Sequence, residues 1–232
     1  MPSNRGGGRN ATRGRAAGGS ATVRGGLPAQ ERELRVQGRK TMQRLLDAGR
    51  SVFEKQGFHA ARVDDIVKAA KTSHGTFYLY FANKEDLFKA LALDAMAAME
   101  NLGTQLGPIT PDDKGRETLR DWVGNFVDIY AAHASVIRAW TDREFAARDL
   151  GRRARDSLLE LSGALSQRID EARALGDQSL IEGVACLSML ERFNYFQQSH
   201  QIRFTREETI DALTRAVFEG FFVPDGRPTK RR

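Results

Sequence analysis

From residue 39 onward, large apolar side chains recur at three- and four-residue steps, in blocks separated by glycine, proline and capping residues. That period belongs to helices buried along one face. The first block, Met42, Leu45, Leu46, Gly49, Val52 and Phe53, predicts a helix over 33–56. Gly57 ends it as a left-handed cap, and Phe58 can fold back onto the core. Val63, Ile66, Val67 and Ala70 predict a short helix over 63–70, Lys71 and Thr72 a turn, and Phe77 and Phe81 the inner face of a second short helix over 73–80. A fourth helix starts after Asn83, a capping residue followed by Glu85 and Asp86 in the first turn, and runs to Gln105, where Gly107 and Pro108 break the pattern.

Beyond the break the pattern stays helical. Thr110 and Pro111 cap a helix to His133 that buries Leu119, Trp122, Val123, Phe126, Val127 and Tyr130; a short helix starting at Ser135 carries Val136, Ile137 and Trp140. A helix over 148–174 puts Leu158, Leu161, Leu165 and Ile169 inside, and two more cover 179–200 and 205–222. Thr205 and Glu208 have the spacing of a capping box. Strand alternation and hairpin signals are absent from the sequence, so an all-α fold of about nine helices is expected.

The outward positions of the second short helix differ from an ordinary solvated face. Ser73, His74, Thr76, Tyr78, Leu79 and Tyr80 carry no negative charge, and Lys84 follows. Hydroxyls, an imidazole and phenols suit phosphate oxygens and base edges, and a helix without carboxylates approaches a polyanion without repulsion. Two short helices and a tight turn with such a face read as a helix-turn-helix whose second helix enters the major groove of DNA. Lys84, a cation at a helix N-terminus, is expected to meet a phosphate there.

These residues also carry a resemblance. Asp65-Ile66, Ala69-Ala70, the run Ser73-His74-Gly75-Thr76-Phe77-Tyr78-Leu79-Tyr80-Phe81 and the segment Asn83-Lys84-Glu85-Asp86-Leu87-Phe88 stand in the register of the DNA-binding domain of TetR-like bacterial regulators. The resemblance reaches back through Leu45, Leu46, Asp47, Ala48, Phe53 and Gly57 and covers roughly residues 39 to 91. It implies DNA contacts from Arg62, Thr72, Ser73, His74, Gly75, Thr76, Tyr78, Leu79, Tyr80 and Lys84, with His74 and Tyr78 nearest the bases. The chain departs from the family at two places: Ala61 stands where a capping threonine is usual, and Lys71-Thr72 replaces Gly-Val in the turn, so Lys71 is expected in the left-handed region.

Charge sharpens the division. Residues 1–30 carry five arginines and no acid, residues 31–91 a net +4, residues 92–224 a net −6 and residues 225–232 a net +3, within a total of +6. A basic front and an acidic back point to nucleic acid at one end only. The expected organisation is a disordered Gly/Arg-rich tail over 1–32, a DNA-binding domain over 33–91, a helical effector-binding and dimerisation domain over 92–224 and a basic tail over 225–232. The arginines of the first tail either belong to a solvated linker or follow the minor groove or backbone of DNA and add salt-dependent affinity. The tail lacks the apolar run of a signal peptide, and nothing in the sequence is long and apolar enough to span a membrane, so a cytoplasmic protein is expected. A single cysteine, Cys186, excludes an intramolecular disulfide and a Cys-rich zinc site.

Residues 92–224 contain no catalytic, metal-ligating or cofactor-binding constellation; an enzyme is not expected. They do contain a surplus of aromatic residues. In the TetR-like family the helices after the DNA-binding domain enclose a small-molecule cavity, and the last two long helices pair into a homodimer. The resemblance therefore implies a ligand site, for which Trp122, Phe126, Tyr130, Trp140, Phe193 and Phe196 are the candidates, and a homodimer through 179–200 and 205–222. The segment Glu191 to Phe196 puts a carboxylate, a guanidinium and three aromatics on one helix, facing a partner chain or a cavity. The acidic character of this half argues against a strongly anionic ligand unless a local arginine such as Arg138 or Arg192 intervenes. The functional expectation is a DNA-binding repressor released from operator DNA by a small, largely apolar ligand; the other reading is a DNA-binding protein without a small-molecule effector.

Overall fold

A computed structural model describes residues 29–140, 149–174, 176 and 180–224, with side chains from residue 35 onward and without those of residues 139, 140 and 149. The chain divides into two units, residues 1–38 and 39–232. Eight α-helices account for most of the described residues: α1 (Ala29–Gln56), α2 (Val63–Ala69), α3 (His74–Tyr80), α4 (Lys84–Thr104), α5 (Asp113–Trp140), α6 (Asp149–Arg173), α7 (Leu180–Gln198) and α8 (Arg206–Val217). The last continues into a π-helical turn, Phe218–Phe222. The described residues form no strand, and none of their helices is long and apolar enough to cross a membrane. Of the two tails expected at 1–32 and 225–232, residues 1–28 and 225–232 lie outside the described residues, while 29–32 belong to the first turn of α1.

Local chemistry explains where the helices begin and end. Gly57 closes α1 at φ 78, its N–H donating to Phe53 O, and Lys71 takes φ 50 in the turn between α2 and α3. Ser73 caps α3 by accepting from Thr76 N–H, and Asn83 caps α4 by accepting from Asp86 N–H. Thr205 and Glu208 form the reciprocal capping box of α8. Three expectations are corrected. The N-cap of α2 is Arg62 rather than Ala61, which is buried; Asp65 supplies the acceptor by taking the Arg62 N–H. Asp112 rather than Thr110 caps α5: its carboxylate accepts from the Thr110 hydroxyl and the Gly115 N–H, and these bonds hold its carboxyl below the usual range. Finally, α5 runs unbroken through His133 to Trp140 where a new helix was expected at Ser135, because Ala134, Ser135 and Val136 are all buried and the segment has no glycine or proline to stop it.

Two apolar clusters result. One lies under α1 to α4, where Phe53, Phe58 and Phe88 meet with ring centroids 4.9 to 6.0 Å apart and Ile66, Phe77, Leu87 and Leu91 are fully buried. Met42, expected inside, is 38% exposed. Val136 of α5 and Leu150 of α6 close the same cluster from the far side. The other cluster joins α4 to α8, with Leu102, Phe126, Leu165, Leu190 and Phe222 at its centre. Gly183 lets α6 and α7 cross closely, since a Cβ there would stand 2.0 Å from Ser162 O. Across α5 and α8, Arg206 clasps Asp128 with two bonds of 2.8 Å, and Arg120 bonds Glu207 and Asp211 at 2.9 to 3.0 Å.

His133 of α5 is buried where α1 and α4 meet it, beside Arg50 of α1 and Asp94 of α4, which pair at 3.2 Å. Burial first, and then the Arg50 cation, push the imidazole below its ordinary value, with Asp94 opposing. The folded chain therefore resists a proton that the unfolded chain accepts below pH ~6.5. Stability should fall as the pH drops from about 6.5 towards the lowered folded-state value and level off beneath it. Urea melts of wild type and His133→Gln across pH 5 to 8 check this: the acid-side loss should shrink in the variant.

Candidate DNA interface and internal cavity

On α3 the buried and exposed positions separate cleanly. Phe77 is fully buried, 5.8 Å from the Phe81 ring, and anchors the helix, while Tyr78 is 57% and Leu79 82% exposed. Ser73, His74 and Gly75 are exposed, and Thr72, Thr76 and Tyr80 half-buried, Tyr80 packing against the first cluster. The Ser73 and Thr76 hydroxyls lie 3.0 Å apart, so the cap occupies part of their hydrogen-bonding capacity. His74 is more constrained than its sequence position implied. Its Nε2 lies 2.5 Å from Asp64 of α2, which brings a carboxylate to the edge of an otherwise acid-free helix.

Lys84 has a different setting from the one its sequence position suggested. Its ammonium donates to the carbonyls of Phe58, His59 and Ala61 at 3.0 to 3.1 Å and sits 4.7 Å from the centroid of the Phe58 ring. An ammonium has three protons, and each has a backbone acceptor here. Lys84 thus ties the start of α4 to the connection between α1 and α2. Arg62, at the N-cap of α2, remains exposed.

A second site opens between α4, α5, α6 and α7. A cavity of about 370 Å³ is walled by Met96, Met99, Phe126, Tyr130, Ile137, Ala154, Leu158, Leu161 and Leu187, with Arg155, Ser157 and Glu191 as its polar members. The Tyr130 hydroxyl donates to Glu191 at 3.0 Å, and burial followed by the Glu191 charge drives the phenol far above its ordinary value, so it stays protonated. Ser157 donates to Glu100 of α4. Leu158, expected inside, is 46% exposed yet lines the cavity, which marks it as part of the rim.

Of the six aromatic candidates, Phe126 and Tyr130 line this cavity. Trp122 is buried in the second cluster, its indole N–H donating to Leu102 O at 3.0 Å. Phe193 stacks on Phe204 at 6.2 Å, and Phe196 is 37% exposed beside Tyr195. The side chain of Trp140 lies outside the described residues. Arg138 donates to Gln198 O, and Arg192 lies over the rings of Tyr195 and Phe196. Sequence reasoning missed Met96, Met99 and Leu187, which are unremarkable members of apolar stripes. Glu191 had a signal: a carboxylate within an otherwise apolar and aromatic helix face.

Comparisons with known proteins bear on both sites. Residues 45–91 match the profile of bacterial regulatory proteins of the tetR family. The chain is 28% identical over 112 residues to the HTH-type transcriptional repressor SCO4008 of Streptomyces coelicolor, covering 47% of this chain and 54% of that protein. It is 30% identical over 121 residues to the HTH-type transcriptional regulator EthR of Mycobacterium tuberculosis, covering 52% of this chain and 56% of the relative. The matches thus span about half the length of these curated relatives. Among solved structures, the transcriptional regulator FadR of Bacillus subtilis in complex with stearoyl-CoA shares the fold with a TM-score of 0.56 at 17% identity, over 77% of this chain and 98% of that one.

The Lys84 geometry gives a direct test. Lys84→Gln should lower stability by about 2 kcal/mol, since a charged group loses bonds to backbone carbonyls. The salt dependence of DNA binding separates the two roles. A phosphate ligand would take about 0.9 off the slope of log affinity against log salt, whereas a tie within the fold leaves that slope unchanged in the molecules that remain folded.

Proposed function

We infer that this chain, a member of the TetR family of bacterial regulatory proteins, is a cytoplasmic transcriptional repressor that binds operator DNA through α3 as a homodimer and is released by a small, largely apolar ligand. The observation that carries the reading is the α3 surface: a short helix fixed by buried Phe77 that presents Tyr78 and Leu79 to solvent on a face without carboxylates of its own. An apolar side chain 82% exposed on such a helix has a partner in the major groove, the methyl group of thymine, and a phenol can bond a base edge or a phosphate. Tyr78 and Leu79 are therefore the base-reading pair. Arg62, Thr72, Ser73, Gly75, Thr76 and Tyr80 surround them as backbone contacts, and His74 joins them once it leaves Asp64.

Seven residues of recognition helix make few contacts, and two copies on a symmetric dimer multiply them. The helix α7 favours such pairing. It buries Cys186, Leu187 and Leu190 within its own chain, yet exposes Leu180 at 45%, Ile181 at 73% and Phe196 at 37%. A helix apolar on opposite faces needs cover on both. Ala216 of α8 and Gly220 of the π-helical turn that continues it are exposed four residues apart, with half-buried Ala212 a further four before them, and small residues there allow close approach of a second copy.

The cavity supports the ligand arm. At about 370 Å³ it lies in the range of small-molecule sites, and its wall is almost wholly apolar. The FadR of Bacillus subtilis, which shares the fold, was solved with stearoyl-CoA, a molecule with a long apolar tail. Release needs only that the ligand bind better to a conformation in which the paired α3 helices no longer fit successive grooves; a nearly complete switch takes about 5.5 kcal/mol of differential affinity.

Operator footprinting upstream of the chain's own gene tests the reading as a whole. Tyr78→Ala and Leu79→Ala should each weaken specific binding by about 1 to 3 kcal/mol and relax sequence preference, with little effect on folding because both side chains are exposed. A protected site that survives both substitutions with unchanged affinity would remove α3 from the base-reading role. Phe126→Ala should leave DNA binding in place and blunt release by apolar ligands. Sedimentation at micromolar concentration should give twice the mass of one chain, and Ile181→Glu should halve it.

A further inference from the structure

Resting on the cavity reading above, we propose that the ligand is an apolar molecule with a hydrogen-bond-donating head, best a protonated amine, anchored by the Glu191 carboxylate and the Tyr130 oxygen. The argument is an inventory of donors and acceptors. Tyr130 has one proton, and it is given to Glu191. Ser157 has one proton, and it is given to Glu100. Glu191 accepts only. These three polar wall groups therefore have oxygen lone pairs to offer and no proton left to give.

The one donor in the wall is Arg155, and its position differs. Its side chain is 68% exposed and lies 3.8 Å from Asp156, so it belongs to the rim, where water solvates it. Glu191 is 27% exposed and the Tyr130 residue 1%, so the sheltered polar corner of the wall consists of acceptors, with the cations of Arg192 and Arg138 near enough to act on Tyr130 but not part of the wall. Arg192 touches that corner from outside, 3.8 Å from the carboxylate, with its guanidinium over the rings of Tyr195 and Phe196. A ligand carboxylate entering there would meet Glu191 with no donor to receive it. An ammonium or a hydroxyl would meet two acceptors, with the rest of the molecule against Met99, Phe126 and Leu161. A carboxylated ligand has one alternative, the reverse orientation with its head at Arg155.

The test is a series of matched compounds on one aromatic-alkyl body: the hydrocarbon, the primary alcohol, the primary amine and the carboxylate. Binding to the full chain is measured by calorimetry and operator release by fluorescence anisotropy, with wild type, Glu191→Gln and Arg155→Gln. We expect the amine to bind and release most strongly and the alcohol next. Glu191→Gln should weaken the amine about tenfold or more, as loss of a charge-assisted bond requires, while changing the hydrocarbon little and improving the carboxylate, because the amide brings a donor. A carboxylate that binds wild type as tightly as the amine, with an affinity that falls in Arg155→Gln, overturns the proposed head and leaves the cavity as the ligand site. An amine affinity unchanged by Glu191→Gln has the same meaning. If no compound of the series binds, the hydrocarbon included, the cavity reading falls and this proposal with it. Should Glu191→Gln fail to fold, the rank order in wild type decides alone.

Discussion

Met96 belongs to two environments at once, and this double membership constrains much of the molecule. It is buried in the cluster under α1 to α4 and also forms part of the cavity wall. The helix that carries it, α4, contributes Leu87, Phe88 and Leu91 to the first cluster and Leu102 to the second without interruption. An α-helix is stiff along its axis, so a displacement at one end is not absorbed in the middle. The same sharing recurs one layer out: Val136 and Leu150 close the first cluster, while Ile137 and Ala154, close to them in sequence, line the cavity. Cores packed as densely as crystals do not deform gradually, so a shift of these side chains is felt in the first cluster and at the cavity wall together.

Several polar groups in this fold are placed where their protons are fully used. Lys84 gives its three protons to carbonyls of the connection between α1 and α2, which has no regular structure of its own to satisfy them. Asp112 takes both the hydroxyl before α5 and an orphan N–H of its first turn. Tyr130 and Glu191 satisfy one another inside an apolar wall. What each group has left over, protons or lone pairs, decides what it can still recognise.

How much of this was legible in the sequence varied with the range of the interaction involved. Gly57 at the end of α1, Lys71 in the left-handed region, Asn83 and Thr205 at helix starts were all readable because they are local: side chain and backbone lie within a few residues. The helices fell close to their expected bounds for the same reason, since a period of 3.6 is a local signal. The unbroken course of α5 was not readable, because burial of Ala134 and Ser135 depends on parts of the chain that are distant in sequence. Lys84 illustrates the limit best. As a cation at a helix start it looked suited to phosphate, and only the return of the chain 23 to 26 residues earlier brings three carbonyls to it. The cavity divided its aromatic candidates in the same way: Trp122 and Phe126 share a stripe, but one turn of helix separates a residue committed to Leu102 from one that faces open space.

The crossing of α6 and α7 at Gly183 bears on how such a chain can diverge. A side chain of any size at 183 would strike the backbone at Ser162 and Ser166, and backbone cannot rotate out of the way as a side chain can. Gly163, the residue after Ser162 on α6, has nothing within 4 Å of where its Cβ would be. These two glycines therefore have opposite latitude for change. A lineage can drift freely at 163, altering the helix surface without consequence inside. At 183 the accessible path is a paired one, in which α6 first moves away from α7, so that a change at this glycine and a change in the spacing of the two helices would be inherited together.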